Sequence, residues 1–269
     1  MSQTRSPAVA GAFYPGQAAH LAQAVAAMLQ AVTRPAPARP PKAIIAPHAG
    51  YIYSGPIAAS AYATLRALRH VVKRVVLLGP VHRVPVRGLA TPGAGAFATP
   101  LGTVSVDSAA IASIAHLPQV VESAAAHALE HSLEVQLPFL QRVLDDFTLV
   151  PLAVGDATPE EVTEVLEALW GGAETLIVIS SDLSHYLPYD IAQTTDRRTA
   201  QAILDLRAEL GHEQACGGTP VNGLLLAARR RRLQAQLLDL RNSGDTAGER
   251  DRVVGYAAFS FKEETTDAS

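Results

Sequence analysis

Short runs of apolar residues recur along the chain, separated by longer stretches with helical spacing. Five runs have the length of β-strands: 42–46 (KAIIA), 74–78 (RVVLL), 148–154 (TLVPLAV), 175–180 (TLIVIS) and 253–261 (VVGYAAFSF). They are continuously apolar rather than alternating, which is typical of strands that are buried on both faces. The pattern therefore favours a largely parallel sheet covered by helices on both sides.

Apolar residues at helical spacing predict helices over 17–32, 56–68 and 159–170. A fourth helical pattern runs over 123–144, with Leu129, Leu133, Leu137 and Leu140 as its apolar stripe. Strands alternating with helices predict an α/β fold with a mostly parallel central sheet flanked by helices. We expect a single domain over residues 1–269, with a flexible tail at 261–269 and a proline-rich connector at 33–42.

Composition narrows the class of protein. Of the 269 residues, 48% are hydrophobic and 17% are charged, which disfavours extensive disorder. The net charge of −3 does not indicate a surface that binds nucleic acid. The N-terminus lacks the apolar segment of a signal peptide, and no apolar stretch is long enough to predict a transmembrane helix. With a single cysteine, the chain is predicted to be a cytoplasmic protein without contact to a membrane.

Histidine-bearing loops follow three of the apolar runs. His48 follows the first run, His82 the second and His185 the fourth. Because the carboxyl ends of parallel strands lie at one edge of a sheet, we expect these three loops to converge there. Asp182, three residues before His185, could orient that imidazole if the loop turns helically, which makes His185 a candidate general base or a supporting group.

Cys216 lies in a glycine-containing segment, ACGGTP, just before a predicted helix. The partial positive charge of a helix N-terminus favours a thiolate over a thiol. Two imidazoles and a thiolate form a plausible three-ligand metal site, which zinc, iron or copper could occupy.

A different site is suggested by HALEH, residues 127–131, which matches the H-x-x-E-H pattern of one class of zinc peptidases. In that hypothesis His127 and His131 share one face of a helix as metal ligands and Glu130 is the base. Five-residue patterns arise easily by chance, so His127 is expected to be dispensable for metal binding.

Seven longer motifs occur in a characteristic order: RSPAVAGAFYPG, APHAGYIYSGPIAASAY, LLGPVHR, EHSLEVQLPFLQ, ISSDLSHY, ACGGTPV and NSGDTAGERDRVVGYAAF. Together they run from residue 5 to about residue 261 and resemble the Memo family, whose bacterial and archaeal members are called AmmeMemoRadiSam system protein B. The resemblance implies a fold like that of LigB-type class III extradiol dioxygenases. It also implies partners, namely a radical-SAM protein and an AMMECR1-like protein.

Transferred motif by motif, the resemblance implies His48, His82 and Cys216 as ligands of iron or copper. It implies Asp182, His185 and His131 as the other polar residues of the same pocket, in acid–base or hydrogen-bonding roles. A cysteine ligand differs from the two-histidine, one-carboxylate set of ring-cleaving dioxygenases. A redox-active metal protein is therefore the favoured hypothesis. The alternatives are a ring-cleaving dioxygenase and a non-enzymatic module that binds a peptide or small ligand.

Overall fold

A nine-stranded sheet forms the centre of the computed structural model, which describes residues 3–33 and 39–263. In chain order the strands are β1 (Thr4–Arg5), β2 (Ala43–Ala46), β3 (Arg74–Pro80), β4 (Leu89–Thr91), β5 (Ala96–Thr99), β6 (Gly102–Ser105), β7 (Val120–Glu122), β8 (Thr148–Val154), β9 (Thr175–Ser180), β10 (His185–Leu187), β11 (Leu233–Asn242) and β12 (Val253–Glu263). Strands β1, β5 and β6 form a separate small sheet.

Eight α-helices accompany these strands in the described residues. They are α1 (Ala18–Gln30), α2 (Tyr51–Tyr62), α3 (Ser108–Ile114), α4 (Ala124–Ala128), α5 (Leu137–Val143), α6 (Pro159–Ala168), α7 (Tyr189–Leu204) and α8 (Gly218–Arg230). Single 3₁₀ segments cover Ala63–Leu68, Glu134–Gln136 and Ser243–Asp245. None of the helices in this part of the chain has both the length and the apolar character that a membrane span requires.

The large sheet is parallel at its centre, has an antiparallel neighbour on each side of that centre, and ends at one edge with the parallel pair β4 and β7. Its order is β10-β12-β2-β9-β3-β8-β4-β7, with β11 also paired to β12. Strands β2, β9, β3 and β8 are parallel neighbours, whereas β12 pairs with β2, β10 and β11 in the antiparallel sense. The predicted α/β class is confirmed, and the sheet is mixed because antiparallel strands extend the parallel centre.

Both faces of the central strands are buried, as their continuous apolar runs predict. Ile44 of β2 and Val75 of β3 belong to one apolar core, whereas their neighbours Ile45 and Val76 belong to the core on the other face. Successive side chains of a strand point to opposite faces, so a strand covered on both sides needs apolar residues at every position.

The helices predicted over 17–32, 56–68 and 159–170 are found with shifted bounds. The helix predicted to begin at Pro56 begins at Tyr51, so Pro56 lies inside it, and the segment after Tyr62 continues as a 3₁₀ turn. Helix α6 begins with a capping box in which Thr158 and Glu161 each bond to the other's backbone N–H. The flexible tail predicted at 261–269 is wrong at its start, since β12 pairs with β11 as far as Glu263. Residues 264–269, and 34–38 of the connector, lie outside the described part of the chain.

Candidate metal centre

Three parallel strands bring their following loops to one edge of the sheet. Strands β2 and β3 both pair with β9, so the loops that carry His48, His82 and Asp182 emerge side by side. The rings of His48 and His82 have centroids 5.2 Å apart. The convergence predicted for His48, His82 and His185 is therefore present for the first two of these residues.

His131 completes a group of three histidines with them. One ring nitrogen from each of His48, His82 and His131 lies within 4.8 Å of the others, which makes the group a candidate metal site. The His131 ring stacks on His82 at 4.6 Å and stands edge-on to His48 at 5.4 Å. His48 is buried, His131 is partly buried and His82 is exposed, so the group opens toward solvent on the His82 side.

A break in a predicted helix brings His131 into this group. The continuous helix expected over 123–144 is wrong: α4 ends at Ala128, and a turn precedes the 3₁₀ segment that leads into α5. The Glu130 carboxylate accepts the backbone N–H groups of His131 and Ser132, both at 2.9 Å. A side chain that binds nearby backbone N–H groups competes with helical hydrogen bonding. Leu129, expected on the apolar stripe, is 60% exposed as a consequence.

Hydrogen bonds assign the tautomer of His48. Its Nδ1 lies 2.8 Å from Ser180 Oγ, and that hydroxyl donates its hydrogen to the carbonyl of Ser132 at 2.6 Å. Because the Ser180 hydrogen is already committed, His48 Nδ1 must donate, and Nε2 keeps its lone pair. Burial and the neighbouring histidines lower the pKa of His48 well below its usual range, which keeps the ring in the neutral form that binds metals.

Glu130 lies behind the other two histidines. Its Oε1 is 2.9 Å from His82 Nδ1 and 3.3 Å from His131 Nδ1, and its Oε2 accepts the His82 backbone N–H at 2.6 Å. Burial alone would raise the pKa of Glu130, but the hydrogen bonds from His82 and from the backbone lower it to about 2. Burial lowers the pKa of His131 to about 4, so a neutral imidazole lies next to an ionised carboxylate at neutral pH.

Cys216 lies beside His48, at the N-terminus of α8. Its Sγ is 3.3 Å from His48 Nε2 and accepts the Asp182 backbone N–H at 3.3 Å. Gly217 allows this approach, because a Cβ there would lie 2.8 Å from the Ser180 carbonyl oxygen. The thiolate expected from the helix N-terminus is wrong for the metal-free protein. Cys216 is partly exposed but densely surrounded by protein atoms, and burial, together with the charge of Asp182, raises its pKa to about 12.

Asp182 and His185 border the group without joining the three histidines. The loop between β9 and β10 is not helical, and the Asp182 carboxylate contacts His48 rather than orienting His185. It accepts the His48 backbone N–H at 2.7 Å and lies 4.0 Å from His48 Nε2. Burial raises the pKa of Asp182 to about 7 and lowers that of His185.

The geometry of HALEH does not fit a zinc-peptidase site. His127 is buried, and its Nε2 bonds to the Ala90 carbonyl oxygen at 2.8 Å while its ring packs edge-on against Phe97. His131 lies beyond the break in the helix, next to His48 and His82. The two histidines of the motif therefore face different surroundings, and only His131 belongs to the candidate centre.

Sequence reasoning did not identify Glu130 and Ser180 as supporting residues. The HALEH pattern predicts Glu130 only as the base of a peptidase, although its place beside His131 is a usable signal. Ser180 ends β9, just before the loop that carries Asp182, and no feature of its local sequence distinguishes it. The donors present are three imidazoles with a thiol beside them, and they suit the transition metals that prefer nitrogen and sulfur ligands.

Comparisons with known proteins agree with this arrangement of motifs. The family model described as "Memo-like protein" matches residues 5–260. A "MEMO1 family protein" of Ignicoccus hospitalis is 37% identical, with 96% of this chain and 98% of the relative covered. Relatives with the same family name from Methanopyrus kandleri and Metallosphaera sedula are 36% and 33% identical, each covering 96% of this chain and 99% of the relative. Among solved structures, an uncharacterized protein of Escherichia coli K12 matches with a TM-score of 0.47 and 13% identity, covering 82% of this chain and 99% of that chain.

Proposed function

The chain belongs to the family of Memo-like proteins, and we propose that it binds a redox-active transition-metal ion between His48, His82 and His131. Cys216 lies next to His48 and is the further donor that we propose for the same ion. The metal would be iron or copper, since both accept imidazole and thiolate ligands; zinc accepts the same donors but has no redox chemistry.

The observation that carries the proposal is the way in which the three imidazoles are held. Each Nδ1 faces a protein oxygen: Ser180 Oγ for His48, and Glu130 Oε1 for His82 and His131. Metal-binding histidines usually donate one ring N–H to such a partner, which orients the ring and leaves the other nitrogen as the ligand. The same protein contacts that orient these rings therefore leave their Nε2 atoms for one ion.

The remaining polar residues suit proton transfer around this ion. The bound metal would supply electron transfer and lower the pKa of the coordinating thiol. Asp182, with a pKa of about 7, can gain or lose a proton near neutral pH beside His48. We propose that His185 also takes part in proton transfer, because it begins strand β10, just after the Asp182 loop, and lies close enough to His48 to influence the pKa of that ring.

Metal analysis of protein purified without oxygen tests the proposal. We expect about one iron or copper ion per chain in the wild type, less in His131→Gln, and in Cys216→Ser the loss of the absorption band of a thiolate–metal bond. His116→Gln changes an exposed histidine outside the group and is the matched control. A wild type that holds no metal after reconstitution with Fe(II) or Cu(I) would refute the proposal.

The three residues that come together are histidines rather than two histidines and a carboxylate, so we propose redox chemistry instead of aromatic ring cleavage. Oxygen uptake with a catechol and Fe(II), abolished by His48→Ala, would contradict this choice. The resemblance to the family extends the proposal to a radical-SAM protein and an AMMECR1-like protein as partners. Co-elution of the purified proteins in size-exclusion chromatography tests that extension, and separate elution would count against it.

A further inference from the structure

One buried carboxylate contacts two of the three histidines. Glu130 is 2% exposed, and four N–H groups point at its two oxygens: the backbone N–H groups of His82, His131 and Ser132, and the ring N–H of His82. Among the ion pairs of the described residues, Glu130 has only His82 and His131 as partners. A buried carboxylate without a lysine or arginine partner is costly, because desolvation is only partly offset by N–H donors.

Capping the turn would explain only part of this arrangement. The backbone bonds to His131 and Ser132 suffice to end α4 and shape the turn. The two ring contacts are additional, since Oε1 also lies 2.9 Å from His82 Nδ1 and 3.3 Å from His131 Nδ1. An ionised carboxylate can only accept hydrogen bonds, so in a neutral imidazole it favours the hydrogen on the facing Nδ1 and the lone pair on Nε2. It does so through a hydrogen bond for His82 and through its charge, 3.3 Å away, for His131.

A second buried ion pair holds the backbone of this turn from the other side. Arg5 donates to the Glu130 carbonyl oxygen at 2.6 Å and to the His127 carbonyl oxygen at 3.0 Å. The guanidinium of Arg5 pairs with the Glu134 carboxylate, which also accepts the Tyr14 hydroxyl at 2.5 Å. Glu134 therefore anchors the N-terminal segment, whereas Glu130, four residues earlier, contacts the histidines.

We propose that Glu130 is the positioning residue of the centre: it holds His82 and His131 as Nδ1–H tautomers and places a negative charge behind the ligands of a cation. This inference rests on the proposed metal site for its consequence, which is tight metal binding. The tautomers themselves are a property of the metal-free chain and can be measured without any metal. Loss of such a supporting carboxylate typically weakens metal binding 10- to 100-fold.

The first measurement is ring ¹⁵N NMR of the metal-free full chain at neutral pH. We expect His82 and His131 to show a protonated Nδ1 and an unprotonated Nε2. In Glu130→Gln one amide N–H must face a backbone or ring donor, so we expect the two ring nitrogens of His82 to show mixed tautomers. A wild-type spectrum with the hydrogen on Nε2 of His82 would overturn the proposal, even if the variant fails to fold.

The second measurement is titration with Co(II), whose visible absorption reports the ligand geometry. We expect Glu130→Gln to bind Co(II) about 10- to 100-fold more weakly than the wild type. Asp196→Asn is the matched control, because it also neutralises a buried carboxylate that accepts a backbone N–H group, and its hydrogen bonds go to Ser184 rather than to any of the three histidines. It should leave Co(II) affinity unchanged. Equal affinity of wild type and Glu130→Gln would overturn the proposal, whereas a wild type that binds no Co(II) while showing the expected tautomers would count against the metal site alone.

Discussion

Replacing His127 by glutamine separates its structural role from a role in metal binding. In the folded chain His127 is buried as a neutral ring that bonds to the Ala90 carbonyl oxygen, and its Nδ1 has no hydrogen-bond partner in the described structure. Burial lowers its pKa from 6.5 to about 4, although the bond to Ala90 opposes the shift. Glutamine keeps an N–H donor but cannot take up a proton in this pH range.

The pKa of His127 in the folded and unfolded chain sets how this residue changes the unfolding free energy with pH. Between pH 6.5 and 4 the unfolded chain binds a proton at His127 that the folded chain does not, so stability from this residue is complete above 6.5 and is lost as the pH falls toward 4. The whole difference between the two pKa values corresponds to about 3 kcal/mol of unfolding free energy. Of this, about 2 kcal/mol is lost by about pH 4.5.

Urea unfolding at about pH 7 and about pH 4.5 measures this loss. We expect the wild type to lose about 2 kcal/mol more than His127→Gln over this interval, whereas His116→Gln, at an exposed position, should follow the wild type. Metal content should be the same in all three proteins. An equal loss of unfolding free energy in His127→Gln and the wild type between the two pH values would contradict this expectation. A large loss of metal from His127→Gln would restore the zinc-peptidase hypothesis.

Three further predictions concern the centre and its surroundings. Burial raises the pKa of Cys216 to about 12, so wild-type protein at pH 7 should release about one more proton per metal bound than Cys216→Ser. Calorimetry in buffers of different ionisation enthalpy measures this proton release, and equal release from both proteins would exclude a thiolate ligand. Burial raises the pKa of Asp196 to about 6, so its stabilising contribution is present at low pH and lost as the pH rises through 6. As the pH rises from about 4 to 7, the unfolding free energy of Asp196→Asn should therefore rise by up to about 3 kcal/mol relative to that of the wild type. Urea unfolding measures this difference, and the same pH dependence in both proteins would contradict it. Arg5→Met leaves the buried Glu134 carboxylate without its cation and should cost about 3–5 kcal/mol of unfolding free energy at pH 7; a loss below about 1 kcal/mol would show that the ion pair is not needed.

Local patterns of the sequence were enough for the framework of the molecule. The apolar runs at 74–78, 148–154 and 175–180 predict buried strands, and each strand is found with its end shifted by at most two residues. The prediction works because a residue buried on either face of a covered sheet must be apolar, whatever its distant neighbours are. The meeting of His48 and His82 followed from the same reasoning, since parallel strands share one edge for their carboxyl ends.

The chemistry of the centre depended on contacts between distant segments, which no local pattern contains. The helical spacing of 123–144 predicted a continuous helix, but the carboxylate of Glu130 binds N–H groups of its own turn and of His82, 48 positions away, and the helix breaks there. That break moves His131 into the group of histidines and leaves His127 in the core. The helix N-terminus near Cys216 favoured a thiolate, but burial beside Asp182 raises the thiol pKa. Strand and helix formation depend mainly on which residues are apolar, whereas tautomers and pKa values depend on the particular atoms that tertiary packing places within a few ångströms.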